Sequence, residues 1–293
     1  MTDLVAAQWM AVPVHEREQF ERDGYLILRG VLTPAEVARY TEAVDREYER
    51  ARLAGDLAAD GSYHRLSAVT TVPDLVDLVD HPRAFAWVWS LLGWNVHIYH
   101  SHLDIHPGLR VPKPAWWHWH QDGGRMNREL ETDPRPRMSV KLAFWLSDVS
   151  AAGRGNLTLI PGSHRVNWLP GPPRRDIPWP QPVDALQVRV NAGDVVLFDR
   201  RIWHARSDNH SPVTRKVVFL GYTYRWIAIR DCVAHLPHEE WWDRLTPVQQ
   251  QLLGASGGGD GDHLWGHYPE RTPLYGELRT RGLLDPGYPP LIP

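Results

Sequence analysis

The stretch MSVKLAFWL, residues 138–146, alternates without a break. Val140, Leu142, Phe144 and Leu146 fall on one side and Ser139, Lys141, Ala143 and Trp145 on the other. That is the period-two pattern of a β-strand. Downstream, NLTLI (156–160), LQVRV (186–190), DVVLFD (194–199) and KVVFLGYTYRW (216–226) read as further short strands, divided by the turn signals PGS, NAG and DNHSP. Upstream the period becomes helical. At TPAE (33–36) Thr33 caps, Pro34 occupies a first-turn position that needs no N–H, and Glu36 completes a capping box. Val37, Tyr40, Thr41, Val44 and Tyr48 then recur at helical spacing. A second helical segment is expected over roughly 74–92, through Leu75, Leu78, Val79, Phe85, Val88 and Leu92, stopping at Gly93. Later helical pieces are expected near 238–253, ahead of the glycine-rich ASGGGDGD (255–262) and the aperiodic end DPGYPPLIP (285–293). Helices at the front and many short strands behind predict a mainly β fold with flanking helices, a sandwich or jelly-roll barrel.

Composition narrows the class of function. At 293 residues and 43% apolar content, the chain can bury one large core. A net charge of -3 gives no electrostatic reason to expect nucleic acid or an anionic membrane as partner. One cysteine, Cys232, excludes an internal disulfide and every zinc site built on paired cysteines, and fits a cytoplasmic location. No apolar run reaches the ~20 residues that span a bilayer, and the first twenty residues lack a signal-peptide pattern. There are 15 tryptophans, several beside histidines rather than inside plain apolar runs, although core packing is their ordinary role.

Those histidines concentrate in WHWHQDGG (117–124), where His118, His120 and Asp122 are spaced by two. On an extended segment all three point to one side, and three ionisable groups on one face are costly to bury unless they are solvated or bind something. Two histidines and one carboxylate with open positions is the ligand set of non-haem Fe(II) oxygenases. The segment GDVVLFDRRIWHARSDNHSPVTR (193–215) offers a distal histidine, His204, at the far end of an apolar strand, with Arg215 eleven residues later. From the residues alone, a metal-dependent isomerase or hydrolase and a non-catalytic metal-binding jelly roll also stand open.

Taken in order, HQD at 120–122, GNLTLIPGSH at 155–164, His204, Asn209 and Arg215 resemble the phytanoyl-CoA dioxygenase family of Fe(II)/2-oxoglutarate oxygenases, as does the opening FERDGYLILRGVLTPAEV (20–37). The resemblance covers roughly residues 17–226. It implies a double-stranded β-helix, cupin-like, within a single domain over 1–293. That domain would comprise a helical part at about 14–93, the jelly-roll core at about 94–230 and a helix and loop extension at about 235–293. It aligns His120, Asp122 and His204 with the iron ligands and leaves His118 outside the set. Arg215 would clamp the distal carboxylate of 2-oxoglutarate through a forked pair of hydrogen bonds. Lys141 is a second candidate contact for the co-substrate, or a lysine whose stem packs while its head reaches water.

The chain departs from the family pattern at two places. Arg206 stands where the family often has serine or threonine, with Ser207 one residue later as the hydroxyl left to contact the co-substrate. His106 stands where a lysine often precedes the Pro-Gly turn; it either bonds the co-substrate or faces solvent. The Asp122 carboxylate argues against a halogenase, whose relatives carry a small residue there. The expectation is therefore a dioxygenase that uses Fe(II), 2-oxoglutarate and O2 to hydroxylate a small molecule, or to desaturate, cyclise or epoxidise it, with a bacterial secondary metabolite as substrate. Trp116, Trp119, Arg125, Asn127 and Arg201 are candidate substrate contacts, with Tyr63 in a loop that serves as a lid. The sequence leaves monomer and homodimer equally open.

Overall fold

The computed structural model describes residues 11–109, 119–123, 129–169, 182–230, 241–255 and 269–284. Their contacts fall into two compact units, each discontinuous in sequence. One comprises residues 14–65 and 102–219, and the other 1–13, 66–101 and 220–293.

Most of the sheet strands lie in the 14–65/102–219 unit, with the strands Val96–His106 and Arg215–Tyr224 shared between the units in sequence. A short helix α1 (Val14–Asp23) leads into β1 (Tyr25–Leu28), followed by the long helix α2 (Pro34–Ala54) and β2 (Tyr63–Leu66). The α2 cap forms as its sequence predicts. The Thr33 side chain accepts from the Glu36 N–H, Glu36 reaches back to the Thr33 N–H, and Gly55 closes the helix in the left-handed conformation at φ 79°. The remaining strands are β3 (Val96–His106), β4 (Ser139–Trp145), β5 (Leu157–Leu159), β6 (Leu186–Gln187), β7 (Val195–Asp199), β8 (His204–Arg206) and β9 (Arg215–Tyr224). The larger sheet has the order β1-β7-β4-β9-β3-β2 and the smaller β6-β5-β8. β7 pairs antiparallel with both β1 and β4, and β5 antiparallel with both β6 and β8.

Between the sheets lies one apolar cluster. It includes Ala143 and Trp145 of β4, Val196 and Phe198 of β7, Val217 and Phe219 of β9, and Leu157 and Leu159 of β5. The face of β4 that carries Lys141 therefore points into the space between the sheets. The whole of β4 is buried on both faces, which is why its second face is small or aromatic rather than charged, Lys141 excepted. Of LQVRV only Leu186–Gln187 pairs as a strand, and Val190 makes a lone bridge to Val149.

In the other unit, α3 (Ala68–Thr71) is followed by a 3-10 turn (Pro73–Leu78) and α4 (Phe85–Leu92). The single helix expected over 74–92 is thus two pieces. Pro82 disfavours helical backbone at His81, and the carbonyl of His81 instead accepts from the Ala84 and Phe85 N–H groups at the start of α4. The described part of the expected 238–253 helix is a 3-10 turn (Trp242–Arg244) and α5 (Pro247–Leu252). A further helix, α6 (Pro273–Thr280), lies beyond any that the periodicity announced. Gln251 of α5 ties this unit together: its side chain donates to the Trp94 carbonyl at 3.0 Å and accepts from the Leu274 N–H of α6 at 2.9 Å.

Candidate metal centre and co-substrate pocket

His204 opens β8, and its backbone exchanges two hydrogen bonds of 3.0 Å with that of His120, an isolated antiparallel bridge. One step further the Asp122 N–H donates to the Arg200 carbonyl at 2.9 Å. The HQD segment is therefore not a strand but a short run stitched to the β7–β8 turn, and the stitching alternates, so His120 and Asp122 face the same side. Gln121, between them, points the other way. Its amide donates to the carbonyls of Arg201 (2.5 Å) and Val166 (2.9 Å), and its oxygen accepts from Arg135.

The three candidate ligands come together: one ligand atom from each of His120, Asp122 and His204 lies within 4.8 Å of the others. His120 Nε2 is 3.8 Å from Asp122 Oδ1 and His204 Nε2 is 3.9 Å from Asp122 Oδ2. A metal about 2.1 Å from three ligands on one face of an octahedron needs them about 3 Å apart, so the set fits a divalent ion once the ligand atoms draw in by up to about 2 Å. The tautomer also fits. His204 Nδ1 lies 2.9 Å from the Ile202 carbonyl, which can only accept, so Nδ1 carries the hydrogen and Nε2 presents its lone pair to the site. Burial, then the neighbouring His120, pulls the His204 pKa down to about 3, so the ring is neutral at pH 7 as a ligand must be. Burial alone would raise the Asp122 pKa, but Lys141, His204 and His120 together hold it well below the usual carboxylate range. His204 is buried and the His120 side chain is 37% exposed, so the site opens on the His120 side.

Lys141, expected near the co-substrate, ion-pairs with Asp122 at 2.6 Å. Arg200 reaches the same oxygen at 3.5 Å. Sequence reading missed Arg200, because nothing in a run of two arginines marks which one turns inward.

Arg215, at the start of β9, is buried. Its guanidinium stacks on Trp145 at 5.0 Å, and one nitrogen donates to Asp104 Oδ2 at 2.5 Å. Asp104 is also bonded by His106 Nε2 (2.8 Å) and approached by His64 Nδ1 (3.3 Å). Burial opposes ionisation of Asp104, yet Arg215 first and the two histidines after it keep its pKa well below the usual value. His106 thus neither faces solvent nor stands alone, for its other nitrogen accepts from Arg206. The sequence signal for Asp104 was present in HLDIH (102–106), which alternates as WHWHQD does.

A carboxylate-bearing ligand fits beside Arg215 on one observation: Arg215 Nε, Ser207 Oγ and Trp145 Nε1 are all buried with no hydrogen-bond partner among the described residues. Asn209 ties the β8–β9 turn to the end of β3 by donating to the carbonyls of His106 (2.9 Å) and Val213 (2.7 Å). Gly155 lets Arg215 in, since a Cβ there would lie 2.6 Å from Arg215 Cδ. The PGSH loop serves packing: His164 covers Gly24 at the end of α1, and its Nε2 lies 3.1 Å from the Glu21 carbonyl.

Two substrate candidates have partners within the fold, and the lid-loop placement of Tyr63 is corrected. Tyr63 is not in a lid loop but in β2, buried, with its hydroxyl donating to Glu47 at 2.6 Å. Arg201 is taken up by Asp199, at 2.9 and 2.6 Å, and by the Arg135 carbonyl. Trp119 is buried next to His120. Trp116, His118, Arg125 and Asn127 lie outside the described residues.

Comparison with known proteins places this geometry. The family model "Phytanoyl-CoA dioxygenase (PhyH)" matches residues 20–217. Ectoine dioxygenase of Nocardia farcinica is 27% identical over 240 residues, 73% of this chain and 78% of its own length. The Bordetella parapertussis ectoine dioxygenase is 28% identical over 244 residues, 72% and 75%. Among solved structures, HygX from Streptomyces hygroscopicus with nickel and 2-oxoglutarate bound superposes with a TM-score of 0.59 at 17% identity, covering 75% of this chain and 90% of HygX. EctD from S. alaskensis with 2-oxoglutarate and 5-hydroxyectoine gives 0.58 at 23% identity, covering 76% and 81%. With the family model spanning two thirds of the sequence, and the His-Asp-His cluster assembled within it, the chain belongs to the phytanoyl-CoA dioxygenase family and is an oxidoreductase of the iron- and 2-oxoglutarate-dependent kind.

Proposed function

We propose that His120, Asp122 and His204 hold Fe(II), that Arg215 with Ser207 receives the distal carboxylate of 2-oxoglutarate, and that the enzyme hydroxylates a small molecule with release of succinate and CO2. The observation that carries the reading is the convergence of the three ligand atoms beside a buried, incompletely bonded arginine. When bound, the iron supplies dioxygen activation coupled to decarboxylation of the keto acid. The chain's own residues do the rest. His204 Nε2 is kept as a lone-pair donor by the Ile202 carbonyl, and Asp122 is kept ionised by Lys141 and Arg200. Trp145 and Phe219 pack around the Arg215 guanidinium and exclude water from its face. Retention of Asp122 leaves no ligand place for a halide, which favours hydroxylation over halogenation.

Relatives named ectoine dioxygenase make ectoine the first substrate to offer, with a metabolite extract as the wider screen. Anaerobic addition of Fe(II) and 2-oxoglutarate should give a weak visible charge-transfer band. Admission of air with a substrate should give succinate in proportion to a product 16 mass units heavier. Asp122→Ala and His204→Ala should each abolish the band. A band that persists in both variants, or turnover that releases no succinate, refutes the reading.

A further inference from the structure

Lys141 is the one charged residue on the inner face of β4. Its ammonium is 2.6 Å from Asp122 Oδ2, its side chain is 5% exposed, and among the described residues Asp122 is its only anionic partner. Its other neighbours are the rings of Phe198 and Phe219, at 5.6 and 5.4 Å to the ring centroids, which solvate a cation far less than water does. In the metal-free arrangement this one carboxylate already faces both Lys141 and Arg200.

A divalent ion on His120, Asp122 and His204 adds to that demand, because it draws on the same carboxylate. A carboxylate shared with a dication no longer neutralises an ammonium beside it, and a buried ammonium without a full counter-charge is costly. The ammonium must then meet another anion. The co-substrate does not need it: of its two carboxylates, the distal one has Arg215, with Nε open, and the proximal one has the metal. Arg200, at 3.5 Å from the same Asp122 oxygen, adds positive potential on this side of the metal. Phe198 links the two features, facing Lys141 across the β4–β7 register and lying 5.4 Å from the His204 ring, so the ammonium borders the metal site itself.

We propose that Lys141 is the anchor for an anionic group of the prime substrate, a carboxylate or a phosphoryl group, so that the enzyme oxidises an anion held beside the metal. The proposal rests on the reading of the triad as a metal site, and the test separates the two.

The full-length chain is loaded with Co(II) and 2-oxoglutarate under anaerobic conditions. Acetate and inorganic phosphate are then titrated as probes, followed by the visible bands of cobalt and by calorimetry. The parent protein should bind at least one probe saturably. Lys141→Met should weaken that binding roughly tenfold or more, the loss expected for a charge-assisted hydrogen bond, and by clearly more than it weakens 2-oxoglutarate binding. Lys141→Arg, which keeps the charge, should retain the binding. The cobalt bands report whether each variant still holds its site, and Lys141→Gln serves if the methionine variant fails to fold. Anion binding unchanged in the methionine variant overturns the proposal. So does a loss of 2-oxoglutarate affinity with probe binding intact, which would give the lysine to the co-substrate. A parent chain that binds neither Co(II) nor 2-oxoglutarate refutes the metal-site reading first.

Discussion

Gly155 has no side chain because Arg215 occupies the place where one would go. Its φ of +72° already disfavours any other residue, and a Cβ would press on the Arg215 stem. Gly155→Ala should therefore displace the guanidinium, raising the 2-oxoglutarate KM at least several-fold, and lower stability by about 1–3 kcal/mol. Substrate-saturation kinetics and a thermal melt measure the two effects, and an unchanged KM would show that Arg215 does not serve the co-substrate. At this scale the sequence was informative where chemistry is carried by spacing. His120, Asp122 and His204 were picked out by the ordered motif that resembles the family, and the structure brings these three together; Arg215 was picked out by the same motif. Asp104 and Arg200 were not singled out, since their partners lie 111 and 78 positions away and only folding brings them together. The arginine pocket is accordingly more acidic than the motif alone implies.

β2 shows how a short element hides from a periodicity argument. Four residues, Tyr63–Leu66, hold too few alternations to stand out, and the polar HR within them reads as loop. The structure gives Tyr63 a packing role, hydrogen-bonded to Glu47, which Arg50 also binds at 2.7 Å. Tyr63→Phe should cost about 1 kcal/mol of stability and leave the substrate KM unchanged. A changed KM with an unchanged melting temperature would return Tyr63 to the substrate site. The one helix start read from the sequence, at Thr33-Pro34, is where α2 begins. Thr-Pro opens α2, α5 and α6 alike, at Thr33-Pro34, Thr246-Pro247 and Thr272-Pro273, a signal that depends on the local backbone and not on burial. α6 escaped notice because eight residues in a proline-rich surrounding give barely two turns of pattern.

Whole-molecule stability has a pH signature outside the candidate active site. In the unit that holds α4, α5 and α6, burial raises the Asp80 pKa from 3.8 to about 6, although Gln249 donates to its carboxylate at 3.0 Å. An acid whose folded pKa lies above its unfolded value favours the fold while protonated. That stability is present below about pH 4 and is lost as the pH rises through about 6. A shift of about two pH units corresponds to at most about 3 kcal/mol. Asp80→Asn keeps the acceptor for Gln249 and removes the charge, so it should melt higher than the parent at pH 8 and no higher at pH 4. Parallel melts at the two pH values decide it, and an equal difference at both would show that Asp80 does not titrate with folding. Among the described residues no helix is long and apolar enough to cross a membrane. The family resemblance stopped near residue 226, and α6, the helix that the periodicity did not announce, lies beyond it.

The pair of backbone hydrogen bonds between His120 and His204 sets the gap between two ligands without using either imidazole. The main chain therefore acts as a socket of fixed bore, and the side chains set in it decide what the socket accepts. Exchanging one imidazole for another donor would retune which ion is favoured while the bore stayed the same. Inheritance of the socket and replacement of its lining is a short route by which one scaffold could come to serve different ions and different chemistries.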